Sequence, residues 1–114
     1  MDLVAIDKRI TTATEIAQQL ILELHASDPT NVTFEQVGLL DGQQTVLDLI
    51  KYGERGCALH HLLYMIHESD IRYPRETMLE IHEIAKSINE KNHYSKENQV
   101  NLTEEHLKNI FNAP

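Results

Sequence analysis

The apolar residues Leu3, Ile6, Ile10, Ala13, Ala17, Leu20 and Leu24 recur at alternating steps of three and four, the period of one face of an α-helix. Ile16, Ile21 and Leu22 widen that stripe, which predicts a helix packed into a globular core and not a rod. The helix should stop within Ser27-Asp28-Pro29-Thr30-Asn31, because Pro29 cannot continue it and biases Asp28 towards extended backbone. Thr33 with Gln36 forms a capping box, predicting a short helix through Leu39, and Asp41-Gly42 breaks the chain again. From Gln43, the spacing of Val46, Leu47, Leu49 and Ile50 predicts a helix ending near Tyr52-Gly53, where Gly53 can adopt the left-handed conformation of a C-cap. Gly53 and Gly56 bracket Glu54-Arg55, which reads as a tight corner between helices.

The next helix, about Cys57 to Ser69, has Leu59, Leu62, Leu63 and Ile66 on one face. Asp70-Ile71-Arg72-Tyr73-Pro74 ends it, with Pro74 suited to the first position of the helix that follows. From Arg75, Met78, Ile81, Ile84, Ala85 and Ile88 predict an amphipathic helix to about Lys91. Asn92 to Asn101 is polar and without period, and a last short helix is expected from about Thr103, with Leu102, Leu107, Ile110 and Phe111 available to dock it. Alternation over several residues with β-branched enrichment never occurs, so no strand is expected. The expected fold is all-α, a single compact helical domain over residues 1–114 with about five or six helices.

Charge narrows the partners. Ten Lys and Arg against 18 Asp and Glu give a formal net charge of -8, which repels phosphate backbones and anionic lipid. Nucleic acid and membrane surfaces are therefore not expected as partners, whereas a basic protein would be steered towards this chain. Cys57 is the single cysteine, which fits a reducing compartment. No apolar stretch approaches a membrane span, and the first residues carry no basic region followed by an apolar run, so the expected address is the cytoplasm.

Candidate chemistry concentrates between residues 54 and 70. Cys57, His61, Tyr64 and Glu68 follow one helical face, with His60 and His67 beside it, and helical pairs four apart can share a zinc ion. A small metal-dependent hydrolase using Cys57, His61, His67 and Glu68 is the enzymatic alternative. The segment nonetheless lacks the HExxH order and any CxxC pair, and no Walker pattern, oxyanion-hole loop or nucleophile elbow accompanies Cys57. A small residue tucked beneath the glycine corner is the commoner role for such a cysteine. Neither catalytic residues nor a metal or other cofactor is therefore expected.

Asp41, Asp48, Glu54, Glu68 and Asp70 instead form an acidic series, with Glu76, Glu80 and Glu83 continuing it onto the following helix. A solvated helix face accounts for such charges, but Tyr52, Tyr64 and Tyr73 lie among them, and tyrosine supplies rigid contact area at recognition sites. The expected binding surface is Asp41, Asp48, Tyr52, Glu54, Tyr64, Glu68, Asp70 and Tyr73. On residues alone the partner class stays open, and a generic acidic adaptor or regulator fits equally.

The run Leu49-Ile50-Lys51-Tyr52-Gly53-Glu54-Arg55-Gly56-Cys57-Ala58-Leu59-His60-His61-Leu62, continued to Asp70-Ile71, resembles MafI-like and related immunity proteins of contact-dependent inhibition systems. The shared pattern is an apolar pair, G-E-x-G-x-A-L, a Leu-rich helix, an acidic residue and Ile, then a Pro-initiated helix. It covers about residues 46 to 90, matching at Gly53, Glu54, Gly56, Ala58, Leu59, Leu62, Glu68, Asp70, Ile71 and Pro74. His60 and His61 depart from it, standing where an acid is more usual. The resemblance implies a helical, non-enzymatic protein that binds and neutralises a cognate toxin, often a nuclease, with Glu54, Glu68 and Asp70 as surface acids. An acidic cover for the positive cleft of such a toxin agrees with the net charge.

Overall fold

The computed structural model describes residues 1–28, 30, 34 and 38–92, with Lys91 and Asn92 described by their backbone. Among these residues there are four helices and no strand: α1 (Leu3–Ser27), α2 (Gly42–Lys51), α3 (Arg55–Ser69) and α4 (Arg75–Asn92). The all-α expectation holds at that level. The short helix expected over 33–39 falls outside the described residues except at Phe34, Gly38 and Leu39, and the terminal helix from 103 lies wholly outside them.

Asp2 starts α1, its carboxylate accepting the Ala5 amide at 2.8 Å. The buried line along α1 is Ile6, Ile10, Ala13, Thr14, Ala17, Gln18 and Ile21, not the full expected stripe. Leu3 and Leu24 are 43% and 42% exposed, and Leu20 is only partly buried. Strict alternation of three and four averages 3.5 residues per turn, whereas an α-helix has 3.6. Over 25 residues the buried line therefore drifts, and Ile21 takes the place expected of Leu20 and Leu24.

Two buried polar groups on or against α1 set where the other segments lie. Gln18, 5% exposed, donates from Nε2 to the Leu39 carbonyl at 3.1 Å and accepts the Gln43 amide on Oε1 at 2.8 Å. Asp41, the N-cap of α2, makes no side-chain cap, so Gln18 supplies that acceptor from another helix. Tyr73 is 3% exposed and donates its hydroxyl to the Ala13 carbonyl at 2.6 Å. Burial is the main cause that raises its pKa, with the Glu80 charge adding to it.

The α2–α3 pair is an antiparallel hairpin. Gly42, at the start of α2, lies against Met65, ten positions into α3. At the corner, Glu54 N–H donates to Leu49 O at 2.8 Å and Gly53 N–H to Ile50 O at 3.0 Å. With Gly53 at φ 77°, this is a Schellman motif. The corner is thus confined to Tyr52–Glu54, and Gly56, expected to flank it, belongs to the first turn of α3. Arg55 anchors that earlier start: its Nε and Nη2 donate to the two Asp7 carboxylate oxygens at 2.6 and 2.9 Å, fastening the start of α3 to the start of α1.

α3 buries Ala58, Leu59, Leu62, Leu63, Met65, Ile66 and Ser69, a sector wide enough to touch α1, α2 and α4. α4 buries Met78, Ile81, Ile84, Ala85 and Ile88, as its periodicity predicts. Tyr73 at Ala13 and Glu80 at Arg9 show α4 running back along α1 towards its N-terminus. The isoleucines dock it: each fully buried one contributes about 1.5–3 kcal/mol. The Arg9–Glu80 pair, at 3.7 Å with both side chains nearly half exposed, is of a kind that contributes at most about 1 kcal/mol.

A Cβ at Gly42 would stand 2.7 Å from Met65 Sδ and 2.9 Å from its Cγ and Cε. Gly42→Ala should lower stability by about 1–3 kcal/mol in urea unfolding, through overpacking. Its effect should be less than additive with Met65→Ala, which opens space at the same contact. Tyr73→Phe should lower stability by about 1 kcal/mol while leaving helical circular dichroism intact, because it removes a buried hydrogen bond and keeps the ring.

Candidate functional site

The helical phase of the α2–α3 hairpin decides which polar residues share a surface. On α3, Glu54, Cys57, His61, Tyr64 and Glu68 are three or four residues apart and follow one side, because Ala58, Leu59, Leu62 and Met65 take the inward positions. Asp41, Asp48 and Tyr52 follow one side of α2. The Asp41 carboxylate acts electrostatically on His61, so the two rows approach one another across the hairpin.

Seven of the eight residues expected at the binding surface are exposed: Asp41, Asp48, Tyr52, Glu54, Tyr64, Glu68 and Asp70. Tyr52 is the most prominent at 75% exposure, since it is the C-cap of α2 at the corner. Tyr73 is a correction. It belongs to the core, because its hydroxyl finds an acceptor on α1 and its ring fills the space beneath the α3–α4 linker.

Asp70 is exposed but lies at the far end of α3, in a groove of about 380 Å³ with Leu24, His25, Ser27, Asp28, Phe34 and Ser69. Glu80, expected to extend the acidic surface along α4, pairs with Arg9 at the α1–α4 seam. The hairpin face therefore carries Asp41, Asp48, Glu54 and Glu68. Between residues 41 and 68 the Lys and Arg side chains are Lys51 and Arg55. Arg55 turns inward to Asp7, and the Lys51 ammonium lies 5.9 Å from the centre of the Tyr52 ring. Acidity thus dominates the face, with two tyrosines within it.

Cys57 is exposed, not tucked under the corner, because starting α3 at Arg55 turns Ala58 and Leu59 inward in its stead. Its Sγ lies 3.9 Å from Glu54 Oε2. His60, His67 and Glu68 are exposed as well, while His61 is half-buried. Among the described residues no group of three or more His, Cys, Asp or Glu is placed to hold a metal ion. The hydrolase alternative needed Cys57, His61, His67 and Glu68 to converge, and α3 strings them along its length instead.

His61 is the one group on this face with a resolved shift in titration. Its Nε2 is buried and has no hydrogen-bond partner among the described residues, and its ring tilts against Tyr64 with centroids 5.5 Å apart. Burial lowers its pKa, and the Asp41 carboxylate partly offsets that.

No protein-family model, curated protein sequence or solved structure matches the chain. No helix among the described residues is long and apolar enough to cross a membrane. Function is therefore argued from the surface itself.

Below its ordinary value of 6.5, His61 binds a proton more readily in the unfolded chain than in the folded one. Its contribution to stability should be complete above that value and lost as pH falls towards the lower folded value. Thermal melts of the wild type and His61→Gln should therefore diverge in slope only on the acid side, with the wild type falling more steeply between about pH 6.5 and 5. Parallel profiles would show that His61 titrates normally.

Proposed function

We propose that this protein is an immunity protein: it binds a cognate toxin domain of basic, nuclease type through the outer face of the α2–α3 hairpin and neutralises it without catalysis of its own. The observation that carries the reading is the composition of that face, four carboxylates with Tyr52 and Tyr64 exposed among them and Arg55 withdrawn to Asp7. Aromatic anchors ringed by charge suit a partner whose cleft is positive, since the tyrosines supply desolvated contact and the acids speed encounter. A nuclease must present a positive surface to its substrate, and an acidic cover competes for that surface with the phosphate backbone. The resemblance at Gly53-Glu54 through Ile71 supports the same reading, because it centres on this corner and helix. Toxin and inhibitor would meet in the cytoplasm of the producing cell.

The test is co-expression with the adjacent upstream reading frame, scoring growth rescue and co-purification together. The wild type should rescue growth and co-purify. Tyr52→Ala combined with Glu54→Lys should weaken the complex at least about tenfold and flatten its dependence on salt. Both positions are exposed and outside the core, so helical circular dichroism should be unchanged. Full affinity in the double variant would remove this face as the interface. Binding to a basic protein without any protection from toxicity would leave an acidic adaptor as the better description.

A further inference from the structure

The groove at the far end of the bundle has a composition that is unfavourable for the isolated protein. α1 and α3 run parallel, joined at their starts by Asp7 and Arg55, so both C-termini reach the same end. Each helix C-terminus carries the equivalent of about half a negative charge, and Lys or Arg in the last turn usually answers it. Here the last turns carry imidazoles, His25 and His67, and no Lys or Arg. The C-caps are both acids, Asp28 and Asp70. One Asp28 oxygen accepts the Thr30 hydroxyl at 3.1 Å, and the Asp70 carboxylate has no partner among the described residues. Asp70 also stands at φ 54°, the position where glycine is usual.

The walls are not simply acidic. Leu24 and Phe34 line the groove of about 380 Å³ together with His25, whose ring lies 6.3 Å from that of Phe34. His25 Nδ1 is buried there without a hydrogen-bond partner among the described residues. The groove thus joins an apolar and aromatic wall, carboxylates, helix carbonyl ends and an unused acceptor.

We propose that this groove is a receptor for a single arginine side chain presented by the basic partner protein. This deepens the proposed function and rests on it for the partner. An arginine matches each feature: its methylene stem and guanidinium plane lie against Leu24 and Phe34, and its forked N–H groups serve Asp70, the free oxygen of Asp28 and the helix carbonyls. Lysine would satisfy the charge but offers no plane to the aromatic wall and no fork to two acceptors. The groove is a second anchor, separate from the hairpin face, and it fixes the orientation of the partner. Groups retained at a cost to the free protein and relieved by a ligand are expected at binding sites.

The test needs no toxin. The 15N-labelled protein is titrated with N-acetyl-L-arginine amide, with the citrulline amide as its uncharged counterpart. Arginine should shift the amides of residues 24–28 and 69–70 in a saturable manner, and citrulline should not. Asp28→Asn with Asp70→Asn should weaken that binding at least tenfold, while asparagine retains the left-handed backbone at position 70. In parallel, Asp70→Gly should raise the melting temperature by about 4 °C in the free protein and still lose arginine binding. Equal shifts with citrulline, shifts centred on the hairpin, or a lower melting temperature in Asp70→Gly would overturn the proposal. The Tyr52 and Glu54 variant should bind the arginine amide normally, so failure here and failure of the hairpin interface are read separately.

Discussion

A helix of 25 residues with a single buried face needs neighbours along its whole length, and that need organises the molecule. Ile6, Ile10, Ala13, Ala17 and Ile21 are shielded by elements from three different parts of the chain, and no one of α2, α3 or α4 is long enough to cover them alone. Apolar contact is indifferent to register, so burial by itself would allow those elements to slide. Buried polar groups remove that freedom. The Gln18 amide accepts only one placement of Leu39 and Gln43, and the Ala13 carbonyl only one placement of Tyr73, because a shift would leave a buried group without a partner.

The same anchoring determines the electrostatics of the surface. By engaging Asp7 with both arms of its guanidinium, Arg55 fastens α3 to α1 and is also withdrawn from the hairpin face. Arg9 is occupied similarly at the α4 seam. A chain of net charge -8 therefore concentrates its uncompensated acids where structure has removed the cations, along α2–α3 and at the paired C-termini of α1 and α3. Acidity that is dilute in composition becomes local in space. That local field can select a basic partner and speed its capture.

Helix positions were readable in the sequence because their causes are local. The isoleucine spacing of α4, the Schellman glycine at 53 and the Pro29 break each depend on residues within a few positions, and each expectation about α2, α3 and α4 held to within two residues. The acidic hairpin face was likewise legible, since helical phase follows from numbering once the helix is known. Errors arose where the cause was remote. Tyr73 reads as a surface aromatic until α1 offers it a carbonyl from 60 positions away. Cys57 reads as buried until Arg55, held by Asp7 from 48 positions away, starts α3 early and turns the thiol outward.

The groove was invisible for the same reason. Leu24, His25 and Asp28 belong to one helix end and Ser69 and Asp70 to another, and no pattern in the chain joins them. The sequence by itself determined which segments are helical, which face of each is apolar and how acidic the molecule is, because those properties are sums over near neighbours. Tertiary structure alone decided which polar side chains became internal pins and which stayed outside. It also decided which two helix ends meet, because a hydrogen bond or an ion pair depends on distance in space, which separation along the chain does not set.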